Sequence, residues 1–519
     1  MQVLSPREAV ERIPDGARVV VAGNGSLLAP EALLQALESR FLETGHPREL
    51  SVFYPVVVGT REGTGIDHLA HRGLVREVIA SCFDIWGIRR LAEMVRDDEV
   101  EAHCLPMGVM FALLQAVADG QPGILSPVGL DTLVDPAVRG TGQNRRTRTS
   151  LTQRVQWEGR TYLWYRAPTI DAALLRGSLA DEDGQVSLRW EPMTQAVFTM
   201  AVAARASGGP VLVQVKALAR RRSLPAREVA LPGVLVDALS VVPEQRQSAA
   251  GEYDGSVDGE WIPACAPAAP PLEAATVAAR RVALLLRPGD LVNLGFGLPL
   301  RVAEVLAQEG LAERVTISLE HGPLGGLPAG SSLFGASRGP TAILRSADVF
   351  ALYHAGCLDL AVLSAAEVDA QGDANVSRFG ARMPGPGGYI DISGCCRRLV
   401  ILCALRANGE QIEVGPEGLR CGPPAGVARW VRRVRERTFS AEQARRRGAE
   451  VWYVSDRCTL RLEEDGPVLT ELAPGVDLER DVLKRMDFRP HLAPEIRRWP
   501  SALLAPGPFG LEGFWRRSE

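Results

Sequence analysis

Short apolar runs and segments with helical periodicity alternate along most of the chain. The apolar runs are rich in Val, Ile and Leu, and many of them end in a glycine-containing turn. Such runs predict buried strands, and the segments between them predict helices. Strands that alternate with helices are typical of mainly parallel sheets covered by helices, so we predict an α/β fold.

Two pairs of segments resemble each other in the same order along the chain. Residues 15–37 and 288–308 both predict a strand, a Gly-x-Gly turn and a helix. Residues 170–188 and 358–377 both place an aspartate before an apolar strand and a second aspartate ten positions later. Two independent matches in one order indicate a duplicated α/β unit.

A polar and then Pro/Ala-rich segment separates the two halves and has the composition of a linker. We therefore predict an N-terminal α/β domain over 1–243, a linker over 244–271 and a C-terminal α/β domain over 272–519. Past residue 440 the pattern predicts two strands, a turn and a closing helix that complete the second domain. An active site would lie in the cleft between the two similar domains.

Glu320 stands at the end of the apolar run VTISL and directly before a glycine-rich loop. Glycines let the backbone turn sharply and let a ligand approach the main chain. An acid at such a junction can be aimed into a cleft as a nucleophile, although a solvated loop acid fits the same local pattern.

Three other glycine loops accompany this acid. Gly23-x-Gly25 and Gly295-x-Gly297 each follow a predicted strand and precede a predicted helix, a context that suits an anion or oxyanion. Leu28 and Leu300 replace the third glycine of a dinucleotide fingerprint, so a conventional NAD site is not expected. The third loop, PGPGG at 384–388, precedes another predicted strand and has the makings of an anion cradle or of a simple turn.

Composition excludes several classes of protein. The chain has 519 residues, 46% of them hydrophobic and 23% charged, as expected for a globular enzyme of two or three domains. A net charge of −4 without a basic arm gives no case for nucleic acid. No apolar stretch approaches a membrane span, and the N-terminus lacks a signal-peptide core. Nine cysteines and seven histidines show no metal-ligand spacing, so we expect a cytoplasmic protein with reduced thiols and no metal.

Taken together, these motifs resemble family I CoA-transferases. The pattern ExGxxGGxPxGxxxFGAS around Glu320, NLGFGLP at 293–299 and PGPGGYIDIS at 384–393 carry the resemblance. It is nearest to the single-chain acetate/propionate (short-chain acyl-CoA) type, which is related to 3-oxoacid CoA-transferases. It covers nearly the whole chain, with further matches such as 105–123 in the first half and 471–490 near the end.

The resemblance implies that Glu320 is the catalytic nucleophile of a CoA-transferase. Its carboxylate would accept CoA from a short-chain acyl-CoA as a glutamyl-CoA thioester and pass it to a carboxylic acid, with ping-pong kinetics. CoA would then be substrate and covalent intermediate, with no tightly bound cofactor. The resemblance also implies a homodimer or homotetramer and a place in short-chain fatty acid or ketone body metabolism.

The same resemblance assigns the surrounding residues. The CoA and oxyanion site would comprise Gly295, Phe296, Gly297, Leu298, Pro299, Gly387 and Gly388. The acyl-substrate pocket would include Gly25 and Met107.

This chain departs from the family pattern at two positions near the site. Met107 stands where relatives usually carry glutamine, and a thioether cannot donate an amide hydrogen bond. We expect an altered acyl preference from this change. His321 stands where relatives have Ser or Asn, and either a structural or solvent-facing histidine or a group that tunes Glu320 fits the sequence.

Two other functions share this scaffold. An acyl-CoA hydrolase would let water reach the glutamyl-CoA intermediate, and it would release CoA without an acceptor acid. A ligand-sensing relative would keep the fold and lose the chemistry, but retention of Glu320 with its whole loop disfavours this reading.

Overall fold

The structure is a computed structural model that describes residues 1–85, 87–264, 268–408 and 410–518. Two large sheets, one from each half of the chain, form its framework. Among the described residues, no helix has both the length and the apolar character that crossing a membrane requires.

The N-terminal sheet has eight strands, all parallel to their neighbours. Most of their residues are buried, as expected for strands with helices on both faces. In spatial order the strands are Gln2–Val3, Ala238–Val241, Val211–Val215, Ala172–Arg176, Arg18–Val21, Leu50–Tyr54, Val75–Ala80 and Glu101–Cys104.

The C-terminal sheet has ten strands and a parallel centre. Its five central strands are parallel, and antiparallel pairs extend it on both sides, except that the edge strand His491–Arg498 pairs in parallel with Gly466–Leu472. In spatial order the strands are Ala342–Ile343, Pro323–Leu324, Thr316–Ser318, Leu291–Leu294, Leu360–Ser364, Arg398–Leu402, Glu450–Val454, Cys458–Glu463, Gly466–Leu472 and His491–Arg498. The predicted α/β class with mainly parallel sheets is confirmed.

The two sheets share an equivalent five-strand centre. In each, the strand before the Gly-x-Gly turn lies between the next strand along the chain and the strand that follows the repeated aspartate. The aspartates also make equivalent bonds: Asp171 accepts from the backbone N–H of Arg18 at 2.9 Å, and Asp359 accepts from that of Leu291 at 3.0 Å. The matching hydrogen bonds support the duplication inferred from the sequence.

Helices cover both sheets. The α-helices of the described residues are Pro6–Val10, Glu31–Thr44, Arg90–Arg96, Met107–Ala118, Val197–Ala206, Ala274–Ala283, Leu300–Gln308, Ser346–His354, Tyr389–Cys395, Ala441–Arg446 and Leu511–Ser518.

Smaller sheets border the two large ones. A four-stranded sheet contains Ala217–Ala219, Leu179–Asp181, Val186–Ser187 and Val229–Leu231. Two three-stranded sheets contain Ala374–Asn375, Glu367–Asp369 and Trp430–Val431, and Gly123–Ser126, Arg160–Arg166 and Thr152–Trp157. Strand pairs join Leu327–Pro328 to Ser337–Arg338, Arg406–Ala407 to Val427–Ala428, and Ile412–Gly415 to Gly418–Cys421.

Two local predictions were wrong. The strand predicted after PGPGG is the helix Tyr389–Cys395, in which the first five residues are all buried. Burial on every side of a short segment removes the difference between strand and helix periodicity. Past residue 440 the chain forms a helix and three strands, one strand more than predicted. The predicted closing helix is a short helical stretch over 478–485, and the strand His491–Arg498 follows it.

Backbone hydrogen bonds join the two halves near the third glycine loop. Met107 N–H donates to the carbonyl of Gly387 at 3.0 Å, and Gly387 N–H donates to the carbonyl of Ser81 at 3.1 Å. Gly108 N–H donates to the Asp391 carboxylate at 3.0 Å. The loop 384–388, which lies between two central strands of the C-terminal sheet along the chain, is therefore fixed against the N-terminal half.

Candidate active site around Glu320

Glu320 lies two residues beyond the strand Thr316–Ser318, and its side chain is only 6% exposed. The neighbouring parallel strand places Asn293 opposite Ser318, at the same edge of the sheet. As a result the Asn293 side-chain amide donates to Oε2 of Glu320 at 3.1 Å. The carboxyl group is therefore buried, and a neutral donor holds one of its oxygens.

Asn293 belongs to a buried polar network behind the carboxylate. Its amide nitrogen lies 3.2 Å from the Tyr353 hydroxyl, which in turn lies 2.7 Å from Oγ of Ser318. Burial, followed by the negative charge of Glu320, raises the pKa of Tyr353. Tyr353 therefore remains a neutral hydroxyl that fixes the orientation of the amide.

Sequence reasoning missed these supporting residues. Asn293 is a polar residue inside the apolar run LVNL, and that interruption was the available signal. Tyr353 gives no such signal, because its contact with the site depends on how the helix Ser346–His354 packs on the sheet.

His321 is 1% exposed, so it is not solvent-facing. Its Nδ1 lies 3.9 Å from Oε1 of Glu320, and its ring meets Phe334 edge-on at 5.2 Å between centroids. Neither ring nitrogen has a hydrogen-bond partner among the described residues. Burial lowers the pKa of His321 and outweighs the opposing effect of Glu320, so the imidazole is neutral near pH 7.

Gly388 is the glycine that lies beside the carboxylate. A Cβ atom built on Gly388 would stand 3.4 Å from Cγ of Glu320, at van der Waals contact, and 3.2 Å from Cδ1 of Ile392, which is tight. Gly388 immediately precedes the helix Tyr389–Cys395, and its N–H donates no hydrogen bond within the described part of the chain. Gly387 differs, because its N–H is already donated to Ser81.

The loop from Gly295 to Pro299 likewise contains both hydrogen-bonded and unbonded backbone N–H groups. Gly295 N–H donates to the carbonyl of Val362 at 2.9 Å and is part of the sheet. Gly297 has a φ of 86°, and Pro299 precedes the helix Leu300–Gln308. The N–H groups of Gly297 and Leu298 make no hydrogen bond to any described residue, whereas the Phe296 ring packs edge-on against Phe334.

The two residues predicted to line an acyl pocket occupy different surroundings. Met107 is buried, and its Cε lies 3.8 Å from a Cβ built on Gly387, one residue from the glycine beside Glu320. Gly25 donates to Val57 and accepts from Gly59, so its polar groups are committed to the N-terminal half. Its neighbour Asn24 reaches the loop after Glu320 by donating to the carbonyl of Phe334 at 2.7 Å.

A cavity of about 1130 Å³ extends from this region. Gly297 and Leu298 line one part of it, and the glycine loop that follows Glu320 lines another through residues 325–331. Arg301 and Arg338 line its wall together with Glu304 and Glu313. Both arginines are paired with carboxylates, Arg301 with Glu304 at 2.9 Å and Arg338 with Asp254 at 2.5 Å. A cavity of this size accommodates an extended organic ligand.

A group of potential metal ligands lies elsewhere. Glu77, Glu101 and His103 bring ligand atoms within 4.8 Å of one another. Arg18 donates to Glu77 at 2.9 Å. Because this guanidinium supplies the positive charge beside Glu77, we assign the three residues a structural role and not a metal-binding one.

The chain is similar to proteins of known activity over its whole length. The family model for coenzyme A transferase matches residues 3–241. Caffeate CoA-transferase of Acetobacterium woodii is 35% identical, covering 98% of each chain. Acetate CoA-transferase YdiF of Escherichia coli K12 is 34% identical, covering 98% of this chain and 96% of its own.

A solved structure is equally similar. It is the acyl-CoA transferase YdiF of Escherichia coli O157:H7, in a thioester complex with CoA. The two structures superpose with a TM-score of 0.93 at 33% identity, covering 98% of this chain and 97% of the other.

Proposed function

Because the chain belongs to the coenzyme A transferase family and is a CoA-transferase, we propose that it moves CoA through a glutamyl-CoA thioester on Glu320. The observation that carries this proposal is the buried Glu320 carboxylate, hydrogen-bonded by Asn293 and lying against Gly388. The donor is a short-chain acyl-CoA, and the acceptor is a carboxylic acid. The thioester complex of the related YdiF with CoA supports a covalent intermediate.

The reaction begins when a Glu320 oxygen attacks the thioester carbonyl of the donor. The C–S bond breaks, CoA leaves as a thiolate, and an acyl-glutamyl anhydride forms. The thiolate then attacks the glutamyl carbonyl, the donor acid leaves as a carboxylate, and glutamyl-CoA remains. The acceptor carboxylate reverses both steps, so no oxidant, reductant or net proton is consumed.

Two groups of backbone N–H donors are positioned to stabilise the tetrahedral intermediates. Gly388 lies beside the nucleophile, and Gly297 and Leu298 line the adjacent cavity. An oxyanion-hole donor lowers the activation barrier by about 3–4 kcal/mol, and burial strengthens this effect. The N–H groups of Gly387 and Gly295 are engaged elsewhere, and these glycines act by shaping the loops.

The cavity beside Gly297 is the proposed CoA site. Its volume and its length along the glycine loop suit a long substrate. Exclusion of water from the buried Glu320 protects the anhydride and thioester from hydrolysis. These properties favour transfer over the hydrolase alternative.

Met107 forms the proposed acyl-pocket wall from the N-terminal half. Its thioether is apolar and flexible, so it favours an acid with an apolar body over one that needs an amide contact. The relatives named for acetate and for caffeate show that acids of different size are used within this family. A screen of acetate, propionate, butyrate and 3-oxo acids as acceptors identifies the preferred substrate.

We also propose the domain boundaries 1–243, 244–271 and 272–519, with the site in the cleft between the domains. The contacts of Met107 with Gly387 and of Gly108 with Asp391 support a site that draws on both halves. Association into a homodimer or homotetramer is part of the same proposal, and light scattering measures it.

Mass spectrometry after borohydride treatment tests the nucleophile. Incubation with an acyl-CoA followed by borohydride should modify the peptide that contains Glu320 in the wild type. Glu320→Ala should remain unmodified, and Glu158→Ala, an exposed acid in a turn, should react like the wild type. A wild-type protein without modification, or CoA release at the same rate without an acceptor acid, would overturn the transferase mechanism.

A further inference from the structure

A second large cavity lies apart from the one beside Gly297. Its volume is about 1040 Å³, and none of its described lining residues is shared with the first cavity. Both halves of the chain build it: residues 133–139 come from the first half, and residues 369–378 and 432–437 from the second. Its wall is dominated by arginine, namely Arg139, Arg378, Arg432, Arg433, Arg435 and Arg437.

The carboxylates near this wall neutralise only part of that charge. Glu436 pairs with Arg139 and lies 3.6 Å from Nε of Arg378. Asp373 pairs with Arg437 at 2.6 Å. Asp369 is turned inward, because it accepts from the backbone N–H groups of residues 371, 373 and 434.

Three arginines therefore remain without a carboxylate partner among the described residues. Arg433 is exposed, Arg432 donates to the carbonyl of Asp487, and Arg435 donates to that of Gly380. This excess of positive charge occurs in a chain whose net charge is −4. It is a local property of the cavity and not of the whole surface.

The guanidinium groups also crowd one another. Arg139 and Arg378 both donate to the carbonyl of Gln143, at 3.0 and 2.9 Å. Burial, followed by the charge of Arg378, lowers the pKa of Arg139 to about 10. Glu436 lies against both of these groups and offsets part of their repulsion.

We propose that this arginine cavity binds a compact polyphosphate, an anion with two or more linked phosphate groups. Several guanidinium forks around one cavity match phosphate oxygens bidentately and favour a ligand with several negative charges. No described lining residue is aromatic, so the wall offers no aromatic ring on which a nucleobase could stack. The linked phosphates themselves are the recognised group, and their binding would fasten the two halves together.

Calorimetric titration of the full-length protein with inorganic tripolyphosphate, at fixed ionic strength, tests this proposal. We expect one site per chain and a Kd at least about 10-fold higher in the double variant Arg433→Gln, Arg435→Gln. The matched control Arg76→Gln, Arg497→Gln removes the same charge from exposed positions outside the cavity and should bind like the wild type. Circular dichroism and thermal unfolding establish that both variants are folded.

Three outcomes would overturn the proposal. Equal weakening in the two double variants would indicate nonspecific attraction to net charge. Sulfate that competes as well as tripolyphosphate, at equal ionic strength, would indicate a simple anion site. Displacement of tripolyphosphate by CoA would assign the arginine cavity to the diphosphate of the substrate, while the borohydride test of Glu320 would be unaffected.

Discussion

At the scale of single residues, Asn293 holds the carboxylate of Glu320, the proposed nucleophile. Asn293→Ala removes the amide donor of Oε2, and a hydrogen bond to a charged group contributes about 1.5–3 kcal/mol. We expect kcat to fall about 10- to 100-fold, measured in a steady-state transfer assay.

Ser318→Ala provides the matched control for this change. It removes the 2.7 Å contact with Tyr353 and leaves the Asn293–Glu320 bond in place. We expect a rate within about threefold of the wild type, since only a neutral hydrogen bond is lost. A similar loss in both variants would mean that the network acts on stability and not on Glu320.

Gly388 limits the space beside the carboxylate. Gly388→Ala would place Cβ 3.4 Å from Cγ of Glu320 and 3.2 Å from Cδ1 of Ile392. We expect the added methyl group to crowd the anhydride and thioester and to shift them from the Gly388 N–H, so kcat should fall about 10-fold or more. Gly394→Ala lies in the same helix with open space around its Cβ, so it should keep full activity. Equal activity of the two variants would contradict the proximity of Gly388 to the reacting atoms.

The buried His321 makes the stability of the fold depend on pH. Its pKa is lowered in the folded state and returns to about 6.5 on unfolding, so the unfolded chain binds more protons below that pH. Stability should therefore fall as pH drops through about 6.5 and be unaffected well above it. The decrease in Tm between pH 7.5 and 5.5 should be smaller in His321→Phe than in the wild type. His491 is exposed, so His491→Ala should show the same decrease in Tm as the wild type. An unchanged decrease in Tm in His321→Phe would show that His321 is not the group responsible.

At the scale of elements, the helix Tyr389–Cys395 connects the glycine beside Glu320 to the other half of the chain. Its buried Asp391 accepts from the N–H of Gly108, in the first turn of the helix Met107–Ala118. Asp391→Ala leaves that N–H unsatisfied, and we expect the free energy of unfolding to fall by about 1–3 kcal/mol in urea titrations.

Asp348→Ala is the comparison for Asp391→Ala. Asp348 is a half-exposed acid on the neighbouring helix, paired with Arg345 at 2.7 Å. A surface pair of this kind contributes about 0–1 kcal/mol, so the variant should be nearly as stable as the wild type. Comparable losses in the two variants would argue against a link between the halves through Asp391.

The sequence predicted these elements unevenly, for identifiable reasons. The strand before Glu320 and both Gly-x-Gly turns follow from local patterns, because apolar runs that end in glycine leave few alternatives. The helix after Gly388 was predicted as a strand, since a seven-residue segment buried on most sides shows no amphipathic period. The partners of Glu320 depend on strand register and helix packing, so only the interruption at Asn293 was visible in advance.

At the scale of the whole molecule, we expect the two halves to stay bound to each other after the segment that joins them is cut. Trp261 and Ile262 are exposed within the segment that joins them. Brief chymotrypsin treatment should cut after Trp261, and the two fragments should still elute together in size-exclusion chromatography. The contacts of Met107, Gly108 and Leu133 with the second half support this expectation. Separate elution of the fragments under native conditions would contradict it.

The hydrogen bond between Met107 and Gly387 joins the half of the chain proposed to select the acid to the half that carries the proposed reacting groups. Glu320, Asn293 and Gly388 all belong to the second half of the chain, whereas Met107 belongs to the first. On the proposed assignment, we expect a substitution in the first half to alter the choice of acid while the reacting groups keep their geometry. Chimeras that exchange only the first half between relatives would inherit selectivity from one parent and turnover chemistry from the other, which makes this duplicated chain a modular starting point for engineering new CoA acceptors.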